Sequence, residues 1–136
     1  MNSQNQRTDT PIAFSAVYRV HPDARNELPD FVTEYVETVR ASGPGTLSLS
    51  AGVSDDGTRL AITALHADTD AMEEHLVTVA PFIERSFQLA TVESITVVGT
   101  PGPRLSTALE ANGSAGASVT VVECAKGFVE AGAGPR

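Results

Sequence analysis

The pattern of apolar and polar positions predicts four strands in the first hundred residues. Residues 12–20 (IAFSAVYRV) are apolar at both alternating sets of positions, which predicts a strand that is covered on both faces. Residues 46–53 alternate between apolar and small polar side chains, and an Asp-Asp-Gly turn at 55–57 leads into a returning strand at 59–66. Residues 91–98 carry a similar pattern and predict the fourth strand.

Two amphipathic helices are predicted between these strands. Apolar residues recur at helical spacing over 28–39, and charged residues take the opposite side. Pro29 would remove a hydrogen bond from a helix that began earlier, so the regular helix is expected to start near residue 28. A Gly-Pro-Gly triplet at 43–45 ends it. The second helix is expected from about residue 70 to residue 89, with a kink or break at Pro81.

The order strand, helix, strand, strand, helix, strand indicates an α+β fold of the ferredoxin-like βαββαβ type. In this fold two helices cover one face of a four-stranded antiparallel sheet. We expect the other face to be apolar as well, and an exposed apolar face of that size is typical of an interface. The pattern therefore predicts a homodimer that forms through the sheet face.

The chain is expected to contain three segments. Residues 1–10 are polar and form a loose N-terminal tail, and residues 11–99 form the ferredoxin-like domain. Residues 100–136 form a C-terminal αβ extension, with a short helix at 104–111 and a strand at 118–123. An extension of this size cannot bury a core of its own, so it docks either on the same domain or on the partner subunit.

The composition excludes several classes of partner. The 136 residues include nine basic and seventeen acidic side chains, a formal net charge of −8, with no basic cluster. Such a surface repels nucleic-acid phosphates and anionic membranes, so neither is an expected partner. No apolar run approaches the ~20 residues of a membrane span, and the N-terminus lacks the apolar core of a signal peptide. The single cysteine, Cys124, excludes an intrachain disulfide, and the expected location is the cytoplasm.

No metal or cofactor is expected. The three histidines, His21, His66 and His75, form no His-x-x-x-His pair that would place two metal ligands on one side of a helix. Gly-x-Gly-x-x-Gly loops and phosphate-binding loops are absent, so no nucleotide cofactor is implied. His21 precedes a proline in a predicted loop and is expected at the surface.

His75 is the first candidate for a functional side chain. It lies on an i, i+3, i+4, i+7 apolar stripe with Met72, Leu76 and Val79, which predicts the buried side of a helix. A histidine with a pKa near neutrality at a small enclosed site can act as a general base. The alternative interpretation is a packing residue whose ring nitrogens bond to a backbone carbonyl or to the other subunit.

Three polar side chains on the predicted sheet are further candidates. His66 ends the third strand, where an acid–base group in a cavity wall and a solvated strand end both fit the pattern. Tyr18 can orient a substrate oxygen or fill the core. Arg19, the only charge in the first strand, can pair across the dimer or hold an anionic substrate group. The side chains that would line a pocket, or otherwise form plain core, are Phe31, Tyr35, Met72, Val79, Phe82 and Phe87.

Three short stretches carry a family resemblance: Gly-Pro-Gly-Thr-Leu at 43–47, Ala-Met-Glu-Glu-His-Leu at 71–76 and Val-Ala-Pro-Phe at 79–82. With the element order over 12–99, they resemble the antibiotic biosynthesis monooxygenase family of the dimeric α/β-barrel superfamily. Many relatives end the third strand with Glu-x-Trp, where this chain has Ala-Leu-His at 64–66. The aromatic residues that anthrone- and quinol-oxidising members use are therefore not carried over. The C-terminal residues also resemble an appendix seen in some actinobacterial-type members.

The resemblance implies a cofactor-independent monooxygenase that oxidises a phenolic, quinol or polyketide-type aromatic with O2. In this hypothesis His75 or His66 takes a proton and Tyr18 positions the oxyanion, and the partner is a small hydrophobic aromatic molecule. Two alternatives stay open because the superfamily has several activities. One is a cofactor-free isomerase or cyclase that works by histidine general base catalysis. The other is a non-catalytic homodimer with a small-ligand-binding or structural role.

Overall fold

Residues 10–130, which the computed structural model describes, form five strands, four α-helices and one turn of 3-10 helix at Pro22–Ala24. Almost all of the predicted N-terminal tail lies outside the described residues. The elements are β1 (Ile12–Val20), α1 (Leu28–Ala41), β2 (Thr46–Val53), β3 (Arg59–His66), α2 (Thr69–Thr78), α3 (Ala80–Leu89), β4 (Ala90–Val98), α4 (Pro103–Ser114) and β5 (Ser118–Val122).

The strands form one sheet in the order β2-β3-β1-β4-β5. β1 is antiparallel to β3 and to β4, and β3 is antiparallel to β2, which is the sheet of the predicted ferredoxin-like fold. β5 joins the outer edge of β4 in the parallel direction, with Ser94 beside Ser118 and Val98 beside Val122. The predicted α+β fold is confirmed, and the extension enlarges the four antiparallel strands to a mixed sheet of five.

Local sequence explains where several elements begin. α1 starts at Leu28 with Pro29 in its first turn, where the missing N–H of proline costs no internal hydrogen bond. Gly57, in the hairpin between β2 and β3, has a φ of +75°, which glycine adopts without strain. The side chain of Asp68 accepts a hydrogen bond from the backbone N–H of Ala71 at 2.8 Å and caps α2.

The second predicted helix is divided into two. α2 ends at Thr78 and α3 begins at Ala80, with Val79 at φ −97° and ψ 8° between them. Pro81 then lies in the first turn of α3, a position that tolerates proline. The expected kink or break at Pro81 is a full break that falls two residues earlier, and Val79 remains buried at the junction.

Alternation along the strands assigns one set of side chains to the face that the helices cover. On β3 this set is Leu60, Ile62, Ala64 and His66, all of which are buried. One core cluster joins α1 to the sheet, and a second joins α2 and α4 to it. The buried members of the second cluster are Ile12, Ala16, Met72, Ile95, Val97, Leu105 and Leu109.

The opposite face of the sheet is less apolar than the sequence pattern suggested. Ser15 of β1 pairs there with Thr63 of β3 and Thr96 of β4, and Thr63 also pairs with Ser50 of β2. All four side chains are exposed. The prediction of a continuous apolar face is therefore wrong, because hydroxyl side chains occupy the middle of four adjacent strands. The sheet-to-sheet homodimer stays a prediction.

The C-terminal extension docks on its own domain. β5 lies along β4, and α4 packs against α2 and the sheet through Leu105 and Leu109. α4 extends to Ser114, three residues beyond the predicted end, so that Asn112 lies inside the helix. Within residues 10–130, no helix combines the length and the apolar character that crossing a bilayer requires.

Candidate active site

A small cavity lies between the helix-covered face of the sheet and the helices α2, α3 and α4. Its volume is about 90 Å³, and side chains from β1, β3, β4 and all four helices line it. None of the side chains that line it within the described residues is charged. Five of them are polar: Tyr18, Tyr35, His75, Ser86 and Asn112. An interior of this kind favours a neutral, mainly apolar ligand, because nothing in its wall compensates a formal charge.

His75 lines this cavity from α2. The side chain is 8% exposed, between Met72 one turn earlier and Val79 one turn later, both of which also line the cavity. Its Nδ1 atom is buried and has no hydrogen-bond partner among residues 10–130. Because Nδ1 is enclosed, the ring edge that carries Nε2 is the one that a ligand could meet. Burial lowers the pKa of His75 to about 4, so the ring is neutral at pH 7.

His66 lies behind His75 and does not line the cavity. Its side chain is completely buried, and the two imidazole rings are in contact, with centroids 4.5 Å apart and planes inclined by 48°. Thr46, which pairs with His66 across β2 and β3, places its hydroxyl oxygen 3.0 Å from Nδ1 of His66. Burial, followed by the neighbouring His75, lowers the pKa of His66 to about 4.

Tyr18 and Tyr35 contribute two phenol rings to the cavity wall. Burial raises the pKa of Tyr18 to about 12. Burial, and then the proximity of Tyr18, also raises the pKa of Tyr35 well above its ordinary value. Both hydroxyls therefore stay protonated at neutral pH and can donate hydrogen bonds to a ligand oxygen. The Tyr35 ring also meets the His75 ring edge to face, with centroids 6.5 Å apart.

The other predicted site residues fall into two groups. Phe31 and Phe82 line a smaller hollow of about 40 Å³, which shares Tyr18 and Tyr35 with the main cavity. Arg19 lies on the opposite face of the sheet, where its guanidinium is 3.5 Å from the carboxylate of Glu93. The suggestion that Arg19 holds a substrate group therefore does not fit this cavity, since alternation along β1 turns its side chain away from Tyr18.

Four cavity residues come from α4, and the sequence pattern did not identify them: Leu105, Ala108, Leu109 and Asn112. Ser86 and Phe87 of α3 also line the cavity, and only Phe87 was expected there. No motif marks these positions, because they reach the cavity through the packing of the extension. His21 bonds to the carbonyl oxygen of Gln88 and to the hydroxyl of Thr91, outside the cavity.

Two further features of the described chain bear on the choice of site. A wider and more polar hollow of about 410 Å³ opens at the surface near Thr10, Asp68 and Glu123, but it contains none of the candidate side chains. Within residues 10–130, no three histidine, cysteine, aspartate or glutamate side chains lie close enough together to hold a metal ion. The cavity at His75 is therefore the candidate active site.

Solved structures share this fold at low sequence identity. MupZ from Pseudomonas fluorescens has 16% identity and a TM-score of 0.67, and the match covers 92% of this chain and 93% of MupZ. Rv0793 from Mycobacterium tuberculosis (24% identity, TM-score 0.58) and SnoaB from Streptomyces nogalater (18%, 0.57) each match 69% of this chain. The matches cover 98% of Rv0793 and 96% of SnoaB, which is described as a cofactor-independent oxygenase. About a third of this chain thus has no counterpart in these two structures.

A search of curated proteins found no match. The family model of the antibiotic biosynthesis monooxygenases matches residues 11–80, which include β1, α1, β2, β3 and α2 with both buried histidines. The matched region is more than half of the chain, and the order of its elements is that of the observed fold. The chain therefore belongs to the antibiotic biosynthesis monooxygenase family.

Proposed function

We propose that this protein is a cofactor-independent monooxygenase that oxidises a neutral phenolic or quinol-type aromatic with O2. The observation that carries the proposal is the meeting of His75 with the hydroxyl-bearing rings of Tyr18 and Tyr35 around one uncharged cavity. Family membership supports the reaction class, and the fold shared with SnoaB is consistent with it. The expected partner is a small hydrophobic aromatic molecule.

His75 can act as the proton acceptor because its imidazole is neutral before the reaction. A pKa of about 4 makes the free ring a weak base, but the substrate anion formed beside it would favour the charged imidazolium. The Tyr18 hydroxyl, which keeps its proton, would donate a hydrogen bond to the oxyanion. A dry site strengthens both interactions because little solvent screens them.

The reaction balances without a further reductant. For an anthrone, His75 takes a proton from the ring methylene, and the resulting anion passes one electron to O2. Recombination of the substrate radical with superoxide and a proton gives a hydroperoxide. Loss of water from this hydroperoxide leaves a new carbonyl group, so one oxygen atom enters the product and the other leaves as water. The protein supplies binding, a base and a hydrogen-bond donor.

The small volume of the cavity favours a second candidate function. Sites for drug-sized ligands commonly enclose about 300–1,000 Å³, so a cavity of about 90 Å³ must widen before it admits a polycyclic substrate. A non-catalytic homodimer with a filled interior would need no widening. A cofactor-free isomerase or cyclase would use the same base and would turn over its substrate without oxygen.

Oxygen uptake with 1,8-dihydroxyanthrone, corrected for its spontaneous oxidation, tests the proposal. We expect wild-type protein to accelerate uptake, His75→Gln to lose the acceleration and His21→Gln, which removes a histidine outside the cavity, to keep it. Acceleration that survives loss of both His75 and His66 would refute the mechanism. Turnover under anaerobic conditions would favour the isomerase or cyclase, and absence of binding by any neutral aromatic would favour the non-catalytic dimer.

We also propose that two copies associate through the open sheet face. Small side chains such as Ala61, Thr63 and Ser15 let two sheets approach to about 10 Å. At one end of this face, Glu93 bridges Arg19 and Arg59 at 3.5 and 2.9 Å, which balances one of the two positive charges. Association would leave each cavity on the far side of its own sheet.

A further inference from the structure

Helix α4 forms one wall of the cavity, although the family model ends at residue 80 and does not reach it. Leu105 and Leu109 are buried and hold α4 against the second core cluster. Ala108 and Asn112, one helical turn apart, are partly exposed and line the cavity. The two leucines therefore fix the position of α4, and this position makes Ala108 and Asn112 part of the cavity wall.

Glu73 of α2 fixes the start of this wall. Its carboxylate accepts hydrogen bonds from the backbone N–H groups of Arg104 at 2.8 Å and Leu105 at 3.0 Å, the first N–H groups of α4. A Cβ atom at Gly102 would come within 2.6 Å of the Glu73 side chain, so any other residue there would displace the Glu73 carboxylate. Since Glu73 precedes His75 by two residues on α2, the same helix positions the wall and the candidate base.

Asn112 gives this wall one defined polar group. Its side-chain N–H donates to the carbonyl oxygen of Ala108 at 2.8 Å, and none of the hydrogen bonds among residues 10–130 uses the amide oxygen, which can accept one. On the α3 side, the hydroxyl of Ser86 donates to the carbonyl of Ile83 at 2.7 Å, and its oxygen can still accept a hydrogen bond. A ligand hydroxyl that lies near α4 can donate its proton to the amide oxygen of Asn112.

The cavity opens between α3 and α4. Ile83 and Phe87 of α3 line it and are still 38% and 55% exposed, so apolar side chains continue from the interior to the surface. Ala108 and Asn112 of α4, both partly exposed, line the same cavity. The small methyl group of Ala108 keeps the passage open, and a larger side chain there would occupy the ligand volume.

We propose that α4 determines which ligand this family member accepts, with Ala108 limiting its size and Asn112 accepting a hydrogen bond from its hydroxyl group. The ligand class is a flat, neutral aromatic alcohol that enters beside α3 with its hydroxyl towards α4. The inference rests on the proposed use of this cavity as the ligand site, but not on the oxygen chemistry.

Tryptophan substitutions on α4 give a direct test, because the natural chain contains no tryptophan. In Ala108→Trp the indole should enter the cavity, show blue-shifted emission and weaken binding of 2-naphthol by at least about tenfold. In the control, Ala111→Trp on the exposed side of the same helix, emission should resemble that of free indole in water and binding should be unchanged. Unchanged binding by both folded variants would overturn the proposal.

Asn112→Leu provides a second test that does not depend on the tolerance of Ala108 for a large ring. We expect wild-type protein to bind 2-naphthol about fivefold more tightly than 2-methoxynaphthalene, which lacks the hydroxyl donor. We expect Asn112→Leu to bind the two equally. The role of α4 would be refuted if wild type and Asn112→Leu preferred 2-naphthol to the same extent, or if wild type bound neither probe.

The two proposals can fail separately. If ligand binding depends on α4 but the protein does not accelerate oxygen uptake, the monooxygenase proposal is wrong and the proposal that α4 determines ligand specificity stands. If wild type accelerates oxygen uptake but Ala108→Trp and Asn112→Leu leave the substrate preference unchanged, the monooxygenase proposal stands and the role of α4 in specificity is wrong.

Discussion

His75 and His66 are in ring contact, with centroids 4.5 Å apart, but only His75 reaches the cavity. His66 supports it from behind and is held by the hydroxyl of Thr46. Each ring keeps one buried nitrogen without a partner in the described part of the chain: Nε2 of His66 and Nδ1 of His75. Unpartnered buried nitrogens lower stability, so their presence beside a cavity is consistent with a functional role.

The histidine pair predicts a loss of stability in mild acid. The folded-state pKa of each ring is about 4, below the ordinary value of 6.5, so the unfolded chain binds more protons between these values. Stability should therefore be fully present above pH 6.5 and should fall as the pH approaches 4, by on the order of 3 kcal/mol per histidine. Urea unfolding at a series of pH values measures this.

The control for this prediction is the double variant His66→Gln/His75→Gln, which should lose most of the dependence on pH in that window, whereas His21→Gln should keep it. Asp56, whose pKa is lowered to about 2 by Thr58 and Ser54, loses its contribution only below pH 3.8. Its titration is therefore separable from that of the histidines. A stability that does not change between pH 6.5 and 4 would contradict the buried, neutral pair.

Tyr18→Phe should retain the fold and lose turnover. The substitution keeps the ring that lines the cavity but removes the hydroxyl that would donate to the oxyanion. Loss of one such donor commonly lowers kcat by about 100-fold. Steady-state oxygen uptake at saturating 1,8-dihydroxyanthrone, together with the melting temperature, checks this. Full kcat in Tyr18→Phe would exclude Tyr18 from the reaction.

How far the sequence predicted this site depends on whether contacts are local. The spacing of Met72, His75 and Val79 correctly predicted a buried helical stripe, because helix geometry determines which residues share a side. The position of His66 behind His75 depends on strand register, which pairs it with Thr46 and Ile12. A local pattern carries no information on such pairing.

Two further differences between the prediction and the structure also depend on how the elements are arranged in space. Asn112 reaches the cavity because α4 folds back onto α2, a contact across 31 residues that begins with Glu73 and Arg104. The open sheet face differs from the prediction because the two faces of β1 are not equally apolar. Residues 13, 15, 17 and 19 share that face, and two of the four are polar.

Glu73→Gln should loosen α4 without unfolding the domain. The amide replaces a charged acceptor of two backbone N–H groups by a neutral one, which should lower the free energy of unfolding by about 1 kcal/mol. Hydrogen exchange at Arg104 and Leu105 should accelerate. Glu74→Gln, at the exposed neighbouring position, is the matched control and should change neither quantity. Equal effects of the two substitutions would contradict the capping role.

The proposed dimer predicts that charge on the open sheet face dissociates it. Thr63→Arg places a cation in the middle of that face, where a monomer leaves it in water but a dimer would bury it without a partner. Sedimentation velocity at micromolar concentration should show dimers for wild type and for Thr78→Arg, a control at the end of α2, and monomers for Thr63→Arg. A wild-type monomer would contradict the proposal.

The most direct test of the account is a ¹⁵N NMR titration of the histidine rings with 2-naphthol. At pH 6 we predict a neutral His75 ring whose resonances shift on binding, while those of His21, outside the cavity, remain in place. A charged His75 at that pH, or a shift of His21 with none of His75, would contradict a neutral imidazole at the ligand site.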